Sequence, residues 1–292
     1  MTADPDVLPR LERAAAGVGV RDLRAVGGGH GVAHYRAALA DGRELFVKAV
    51  PAGSAADGGA LEAEATGLRW LGEAGVAMVP EVSFISNEML ALPWLPEARA
   101  DQAAAERFGR DLALLHAAGA VSFGAPWPGR IASLPLPNDQ AGSWPAWYAA
   151  HRLLPYCRIG RDAGALGSAD AALIESVADR IADLAGPAEP PSRIHGDCWS
   201  GNVLWSGGQG WLIDPAAHGG HRETDLAMLA LFGAPYLDRI LAAYHDARPL
   251  ADGWRSRVPL HQLHPLLVHV CLFGAGYRDG AVAAARAALA AG

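Results

Sequence analysis

Leu61, Ala65, Leu68 and Leu71 fall on one side of a helix across residues 61–71. Two short strand-like runs precede them, residues 34–39 and 44–50, around the turn Ala40-Asp41-Gly42-Arg43. Helical spacing returns over 101–118, where it includes His116, and over 168–185, 225–232, 237–246, 260–273 and 282–291. Residues 203–205 and 211–213 read as two apolar strands joined by the turn-rich Ser206-Gly207-Gly208-Gln209-Gly210. Gly and Pro concentrate in 124–142, an irregular excursion, and in 186–191, which ends a helix and delivers the chain into Arg193-Ile194-His195. No repeat of solenoid period is present. The order of these patterns predicts an α+β chain with two lobes. A small N-terminal antiparallel-sheet lobe with one helix occupies residues 1–93, and a larger, mainly helical C-terminal lobe occupies 94–292.

Composition narrows the partners. A length of 292 residues with 51% hydrophobic positions suffices for a substantial core. The formal charge of −7 argues against nucleic acid, which calls for a basic face. Cys157, Cys198 and Cys271 are widely separated and odd in number, which suggests reduced thiols and a cytoplasmic setting. Asp4 and Asp6 stand where a secretory signal would carry basic charge, and no uninterrupted apolar run approaches ~18 residues, so no membrane association is expected.

The chemistry concentrates in His195-Gly196-Asp197-Cys198-Trp199-Ser200-Gly201-Asn202, with Asp214 following the predicted hairpin. Moving a γ-phosphoryl group onto a hydroxyl needs positioned charge more than covalent help. One carboxylate must face the acceptor hydroxyl, an Asn five residues on binds Mg²⁺, and a second Asp beyond a following strand bridges metal and phosphates. Asp197, Asn202 and Asp214 stand at those intervals, and the hairpin would return Asp214 to Asn202. The N-terminal part then requires a glycine-rich turn and a strand lysine. Val26-Gly27-Gly28-Gly29-His30-Gly31-Val32 is such a turn, whose amides can approach phosphate oxygens unobstructed by Cβ. Lys48 lies inside the second strand, where its charge needs a partner. Glu64, four and seven positions before Leu68 and Leu71, is chosen over Glu62 for that part.

Two further stretches join these. One is Asp214-Pro215-Ala216-Ala217-His218-Gly219-Gly220-His221-Arg222-Glu223-Thr224-Asp225-Leu226-Ala227-Met228-Leu229-Ala230-Leu231-Phe232-Gly233, the other Trp144-Pro145-Ala146-Trp147-Tyr148 with Arg152 and Leu153. Together the motifs resemble the fructosamine/ketosamine kinase family, which belongs with the aminoglycoside phosphotransferases and choline kinases in the protein-kinase-like fold. The resemblance spans nearly the whole chain. It implies ATP and Mg²⁺ as cofactors and, as acceptor, a sugar hydroxyl of a small ketosamine or of a glycated amine or protein. In this reading Asp197 is the catalytic carboxylate, and Asn202 and Asp214 hold the metal. Lys48, set by Glu64, meets the α/β-phosphates beneath Gly28, Gly29 and Gly31. Adenine would meet the Pro93 carbonyl and the Leu95 amide, and Trp199 would pack on the sugar.

The chain departs from the family at Pro93, where an acidic residue is common, and at His218, where an aromatic such as Tyr is frequent. His195 reads as a loop-holding residue, and Trp144, Trp147 and Tyr148 as core. Asp225 is either a helix cap or a buried anchor for the catalytic loop. His261, His264 and His269 share no clear face and have no neighbouring carboxylate or Cys in sequence, so they read as structural. Another small-molecule kinase of this fold, for an aminoglycoside, a choline-like alcohol or a free sugar, is the second reading. The scattered Asp238, Asp246, Asp252 and Asp279 disfavour a polycationic antibiotic. A non-catalytic nucleotide-binding protein is the third, and the presence of Lys48, Asp197 and Asp214 together disfavours it.

Overall fold

Val7 and Leu11, one helical turn apart and wholly buried, seat helix α1 (Val7–Ala14) against the first sheet of a computed structural model that describes residues 6–29, 31–51 and 59–292. Strands β1 (Val20–Gly29), β2 (Val32–Leu39) and β3 (Glu44–Ala49) follow, then helix α2 (Gly59–Gly72) and strands β4 (Phe84–Ser86) and β5 (Met89–Pro93). They form one antiparallel sheet in the order β1-β2-β3-β5-β4. Successive side chains point to opposite faces of a strand. Tyr35, Ala37 and Leu39 of β2 therefore join Leu45, Val47 and Ala49 of β3 in a core with Val7 and Leu11. The other face carries His34 and Lys48, which are cross-strand neighbours. Leu61, Ala65 and Leu68 of α2 pack with Leu90 and Leu92, as the helical spacing required.

The glycine-rich stretch differs from its reading as a flexible turn. Residues 27–29 belong to β1, with Gly28 opposite Ala33 and Gly29 opposite Val32. His30 of that stretch and the early Asp4 lie outside the described residues. Gly31, at the tip, has φ +81°.

Beyond β5 the chain is mainly helical. Helix α3 (Gln102–Ala117) starts where Asp101 caps it, its carboxylate accepting from the Ala104 amide at 2.8 Å. The excursion at 124–142 is more regular than expected. It holds the hairpin β6 (Gly129–Ile131) and β7 (Leu134–Leu136) and is pinned by an isolated bridge between Gly124 and Gly219. Helix α4 (Trp144–Tyr148) runs through a π-helical turn, Ala149–Leu153, into α5 (Leu154–Asp162). The single helix expected over 168–185 is two, α6 (Ser168–Asp179) and α7 (Ile181–Leu184), because Arg180 leaves helical geometry. Strand β8 (Ser192–Ile194) leads into the loop at 195–202, which ends in the hairpin β9 (Val203–Ser206) and β10 (Gln209–Leu212). Strand β11 (His218–Gly220) then pairs with β8. Helices α8 (Glu223–Leu231), α9 (Leu237–Ala247), α10 (Trp254–Phe273) and α11 (Arg278–Ala291) complete the chain. Helix α10 begins six residues before the predicted start and contains Pro259 as well as Pro265. The stretch Trp254–Ala291 has the length and apolarity of a membrane-crossing helix, yet half of its most apolar window is buried inside the protein, as in a core helix.

Several contacts join the sheet region to the helices, two of them away from the cleft. Leu71 and Met78 share a core with Leu112, Leu212 and Leu226. Arg193 on β8 lays its guanidinium over the Trp70 ring of α2, 4.5 Å from the centroid, and donates to the Trp70 carbonyl.

Helix α3 lies closely against α9 at Gly109, where a Cβ would run into the Ile240 carbonyl oxygen. Glycine inside a helix ordinarily costs about 0.5–1 kcal/mol relative to alanine. Here the close backbone approach reverses that preference. Gly109→Ala is expected to lose about 1–3 kcal/mol through overpacking. A thermal melt should show this as a fall of several degrees, and an unchanged or higher melting temperature would contradict it.

Candidate active site

The cross-strand pairing of β2 and β3 turns Lys48 away from the core shared with α1 and toward a cleft between the sheet and the helices. Its ammonium, 6% exposed with its residue, lies 2.7 Å from Glu64 Oε2 on α2 and 2.6 Å from Asp214 Oδ1. Burial opposes the charge, but the two carboxylates overcome it and hold Lys48 above its ordinary range. Burial pushes Glu64 upward, and its second oxygen, Oε1, is buried without a partner. At Asp214 burial is outweighed by the Lys48 ammonium, so that carboxyl stays below the usual carboxylate range. Glu64, rather than Glu62, is thus the partner of Lys48, and Asp214 is a second one. Asp214 sits in the left-handed region, at φ +55°, directly after the β9–β10 hairpin. A non-glycine residue held there marks a backbone fixed by its surroundings.

The same hairpin brings Asn202 back to the loop. Asn202 Nδ2 donates to the Asp197 carbonyl at 2.9 Å and to Asp197 Oδ2 at 2.8 Å, and the Asn202 carbonyl accepts from the Ile213 amide at 3.0 Å. Burial pushes the Asp197 carboxyl up to about 7, with Asp214 and Asp225 adding to the rise and the Asn202 bond opposing it. Gly196 has φ +81°, and a Cβ there would meet the Ala216 carbonyl oxygen, so the loop needs glycine at this turn.

Asp225 is no cap: α8 begins at Glu223, and the Asp225 carboxylate is wholly buried inside its first turn. One oxygen accepts the His195 amide at 2.7 Å, the other the Gly196 amide at 2.9 Å. His116 Nε2 lies 3.1 Å from the same group, and His116 Nδ1 meets the Tyr244 hydroxyl at 2.8 Å. Burial would raise the Asp225 pKa, but its bond to His116 wins and lowers it. Of the two readings of Asp225, the anchor is the one observed. His195 itself bonds through Nε2 to the Ile213 carbonyl at 2.9 Å and accepts the Asp197 amide on Nδ1 at 3.3 Å, so it braces the loop on both sides.

A cleft of about 310 Å³ collects Gly29, Lys48, Glu64, Asp197, Trp199, Asn202 and Asp214, together with His34 and the β6–β7 residues Arg130, Ile131 and Ala132. Trp199 is 38% exposed and meets Phe232 edge-on, ring centroids 5.7 Å apart. Gly28, Gly31, Pro93 and Leu95 are not among the cleft's lining residues. Pro93 pairs with Leu45 on β3, and the next amide, of Trp94, donates to the Glu44 carbonyl at 2.8 Å. Trp144, Trp147 and Tyr148 are buried core, as expected. Sequence reading missed Arg130 and its neighbours, because a Gly/Pro-rich segment carries no periodicity that places a side chain.

The donor set suits a hard divalent cation. Three carboxylates, of Glu64, Asp197 and Asp214, share the cleft with the Lys48 ammonium, and the Asn202 side-chain bonds to Asp197 use its nitrogen, not its amide oxygen. Oxygen ligands of this kind and a surplus of negative charge match Mg²⁺. A second cluster, His221, Glu223 and His261, brings ligand atoms within 4.8 Å of one another. The expectation that no carboxylate neighbours His261 holds along the chain but not in space, where Glu223 Oε2 is 3.4 Å from His261 Nε2. Both Glu223 oxygens are nevertheless engaged by Arg257, at 2.6 and 2.9 Å, and His221 Nδ1 accepts the Glu223 amide at 3.3 Å. The protein's own partners thus engage both Glu223 oxygens, His221 Nδ1 and, through the Thr224 hydroxyl at 3.0 Å, His261 Nδ1, while His261 Nε2 has no hydrogen bond among the described residues.

A family model described as fructosamine kinase matches residues 11–291. A probable ketoamine kinase of Synechocystis is 32% identical over 269 residues, covering 90% of this chain and 88% of that protein. A crystal structure from Thermobifida fusca, described provisionally as a fructosamine-3-kinase, superposes with a TM-score of 0.95 at 52% identity, covering 99% of this chain and 100% of that one. At 14% identity, the structure of the gentamicin complex of APH(2″)-IIa superposes with a TM-score of 0.65 over 99% of this chain and 97% of its own. That likeness identifies the bilobal, protein-kinase-like α+β fold.

Proposed function

This chain belongs to the fructosamine kinase family, and on that premise we propose that it transfers the γ-phosphoryl group of ATP to a sugar hydroxyl of a ketosamine. The observation that carries the reading is the meeting of Lys48, Asp214, Asn202 and Asp197 around one cleft, from three separate parts of the chain. Residues 1–93 act as the nucleotide-binding lobe and 94–292 as the catalytic and substrate-binding lobe.

Lys48, oriented by Glu64, meets the phosphates, while the backbone of Gly28, Gly29 and Gly31 covers them. Asn202 and Asp214 hold Mg²⁺, which, when bound, neutralises charge on the phosphate oxygens. The Pro93 carbonyl and the Leu95 amide receive the adenine. Asp197 accepts the proton of the attacking hydroxyl as the new P–O bond forms and the bond to ADP breaks. Its carboxyl, pushed up to about 7 by burial, is a better proton acceptor than an ordinary aspartate. Trp199 offers a half-exposed ring to the apolar face of the sugar.

ADP release with MgATP tests the reaction, using a fructosamine, a ribulosamine, ribulose, choline and an aminoglycoside as acceptors. Turnover confined to the two ketosamines is the expected result, and turnover on another acceptor alone would overturn the substrate assignment. Replacing Lys48 removes a charged contact to the phosphates, for which hydrogen bonds are worth about 1.5–3 kcal/mol. Lys48→Met should therefore raise the KM for ATP about tenfold to a hundredfold, with a much smaller change in the KM for the ketosamine. A change confined to the acceptor's KM would contradict this role.

A further inference from the structure

His269, Phe273 and Tyr277 stand at intervals of four, a spacing that puts side chains on one face of a helical segment. Helix α10 ends at Phe273, and the tight turn Gly274–Tyr277 carries that face on to the start of α11. Centroid to centroid, the His269 ring lies 5.5 Å from Phe273 and 4.8 Å from Tyr277. On its other side His269 lies 5.0 Å from Phe232, which directly follows α8, and Phe232 lies 5.7 Å from Trp199 in the cleft wall. Separate parts of the helical lobe thus build one strip of five rings that starts at the cleft and ends on the surface. Phe273, at the far end, is 59% exposed, and after Val121 it is the most exposed large apolar side chain among the described residues. Aromatic surface left in water over a continuous patch marks an interaction site. The strip is also held in place. The Trp199 ring lies over Gly201, where a Cβ would collide with it, and His269 Nδ1 donates to the Pro265 carbonyl at 2.7 Å.

We propose that this strip is an extended acceptor subsite, which binds an aromatic group carried by the sugar that is phosphorylated. The proposal rests on the ketosamine reading above and deepens it, naming ketosamines of aromatic amines as the favoured substrate class. In-line transfer puts the attacking hydroxyl on the side of the phosphorus opposite the leaving ADP. With the nucleotide against Lys48 and the sheet, the body of the acceptor therefore lies on the side of Asp197 and Trp199, toward the helices. There Trp199 takes the apolar face of the sugar, and Phe232 and His269 are the next rings along the same surface. A further ring seated on them gains the edge-to-face or offset contacts that aromatic pairs favour at centroid separations of about 4.5–7 Å. A small molecule is the occupant that fits. The near end of the strip lies in the wall of a cleft of about 310 Å³, which the face of a second copy of this chain could not enter.

The test compares fructosyl-ethylamine with fructosyl-phenethylamine, which differ only in the phenyl group, on the wild-type protein, Phe232→Ala and Phe273→Ser. The wild type is expected to favour the phenethyl substrate by about tenfold in kcat/KM, the difference lying in KM. Phe232→Ala should bring the ratio of the two substrates close to one. Because the ratio is taken within one variant, a general loss of folded protein cancels from it. Phe273→Ser, whose ring is mostly in water, should act only on a longer substrate. Fructosyl-4-phenylbutylamine, whose ring passes Phe232, should gain about threefold more on the wild type and lose that gain in Phe273→Ser. Equal kcat/KM for the ethyl and phenethyl substrates on the wild type would overturn the proposal while leaving the ketosamine reading intact. A preference that Phe232→Ala leaves undiminished would also overturn it. So would a wild-type dimer in light scattering that Phe273→Ser dissociates, by making the strip a seam between two copies. Turnover of neither ketosamine by the wild type would overturn both readings.

Discussion

Asp197→Asn is expected to lower kcat by about 10²–10⁴-fold, the range that positioned proton acceptors contribute. The substitution keeps the shape of the side chain and an oxygen that can still take the Asn202 bond at Oδ2, so the loop should retain its course. What it removes is the proposed acceptor of the hydroxyl proton. The KM for ATP should stay within about twofold, because the proposed nucleotide contacts lie on Lys48, the glycine hairpin and the proposed metal ligands. A kcat within tenfold of wild type on every ketosamine would remove Asp197 from the catalytic role.

The same substitution has a consequence for stability, read without magnesium. The folded carboxyl is raised to about 7, above its unfolded value near ~4. Between those values the unfolded chain has released its proton while the folded one keeps it, so this group makes wild-type stability decline as pH rises from about 4 to about 7. Asparagine has no such slope. The stability of Asp197→Asn relative to wild type should therefore grow over that window and level off above it. A gap independent of pH would show that the carboxyl is not raised.

Asp225→Ala is expected to cost about 3–5 kcal/mol of stability, the range for stripping one partner from a buried charged network. The loss would leave the amides of His195 and Gly196 and the ring of His116 facing a site with no acceptor. Against a typical total of about 5–15 kcal/mol this is a large fraction. Asp225→Asn should rescue little, since its amide nitrogen would point a donor at a backbone N–H where an oxygen now accepts one. Denaturant unfolding gives the stability directly. Activity should fall with it, because the His195 and Gly196 amides fix the turn that presents Asp197. The contrast with Asp197→Asn is diagnostic, since that variant should lose turnover and keep its fold. An Asp225→Ala protein as stable as wild type would show that the loop is held by other contacts.

Much of the site is legible in the amino-acid sequence, because phosphoryl transfer demands a few residue types at intervals that loops and hairpins impose. Asp197 and Asn202 share one loop, and Asp214 returns to them across a hairpin whose two strands are apolar and whose turn is glycine-rich. Lys48 is legible as a charge inside a strand, and Glu64 as the glutamate on the inward side of α2. In each case a local rule, strand alternation or helical periodicity, decides where the side chain points. The small sheet lobe and the helical lobe follow from the same patterns. Helix ends are less well marked, because Pro259 and Pro265 lie within α10 where proline usually stops a helix.

Contacts between distant segments are decided only in three dimensions. Asp225 is a cap or an anchor on local grounds, and burial of its carboxylate beneath residues 195 and 196 makes it the anchor. Glu223, apparently unrelated to His261 along the chain, meets it across 3.4 Å while Arg257 occupies both carboxylate oxygens. The irregular excursion after α3 becomes a hairpin that places Arg130 in the cleft. Periodicity and motif spacing report which way a residue faces within its own element. They carry no information on which element comes to lie opposite, because that depends on how whole faces pack, and it is this packing that builds the wall of the cleft.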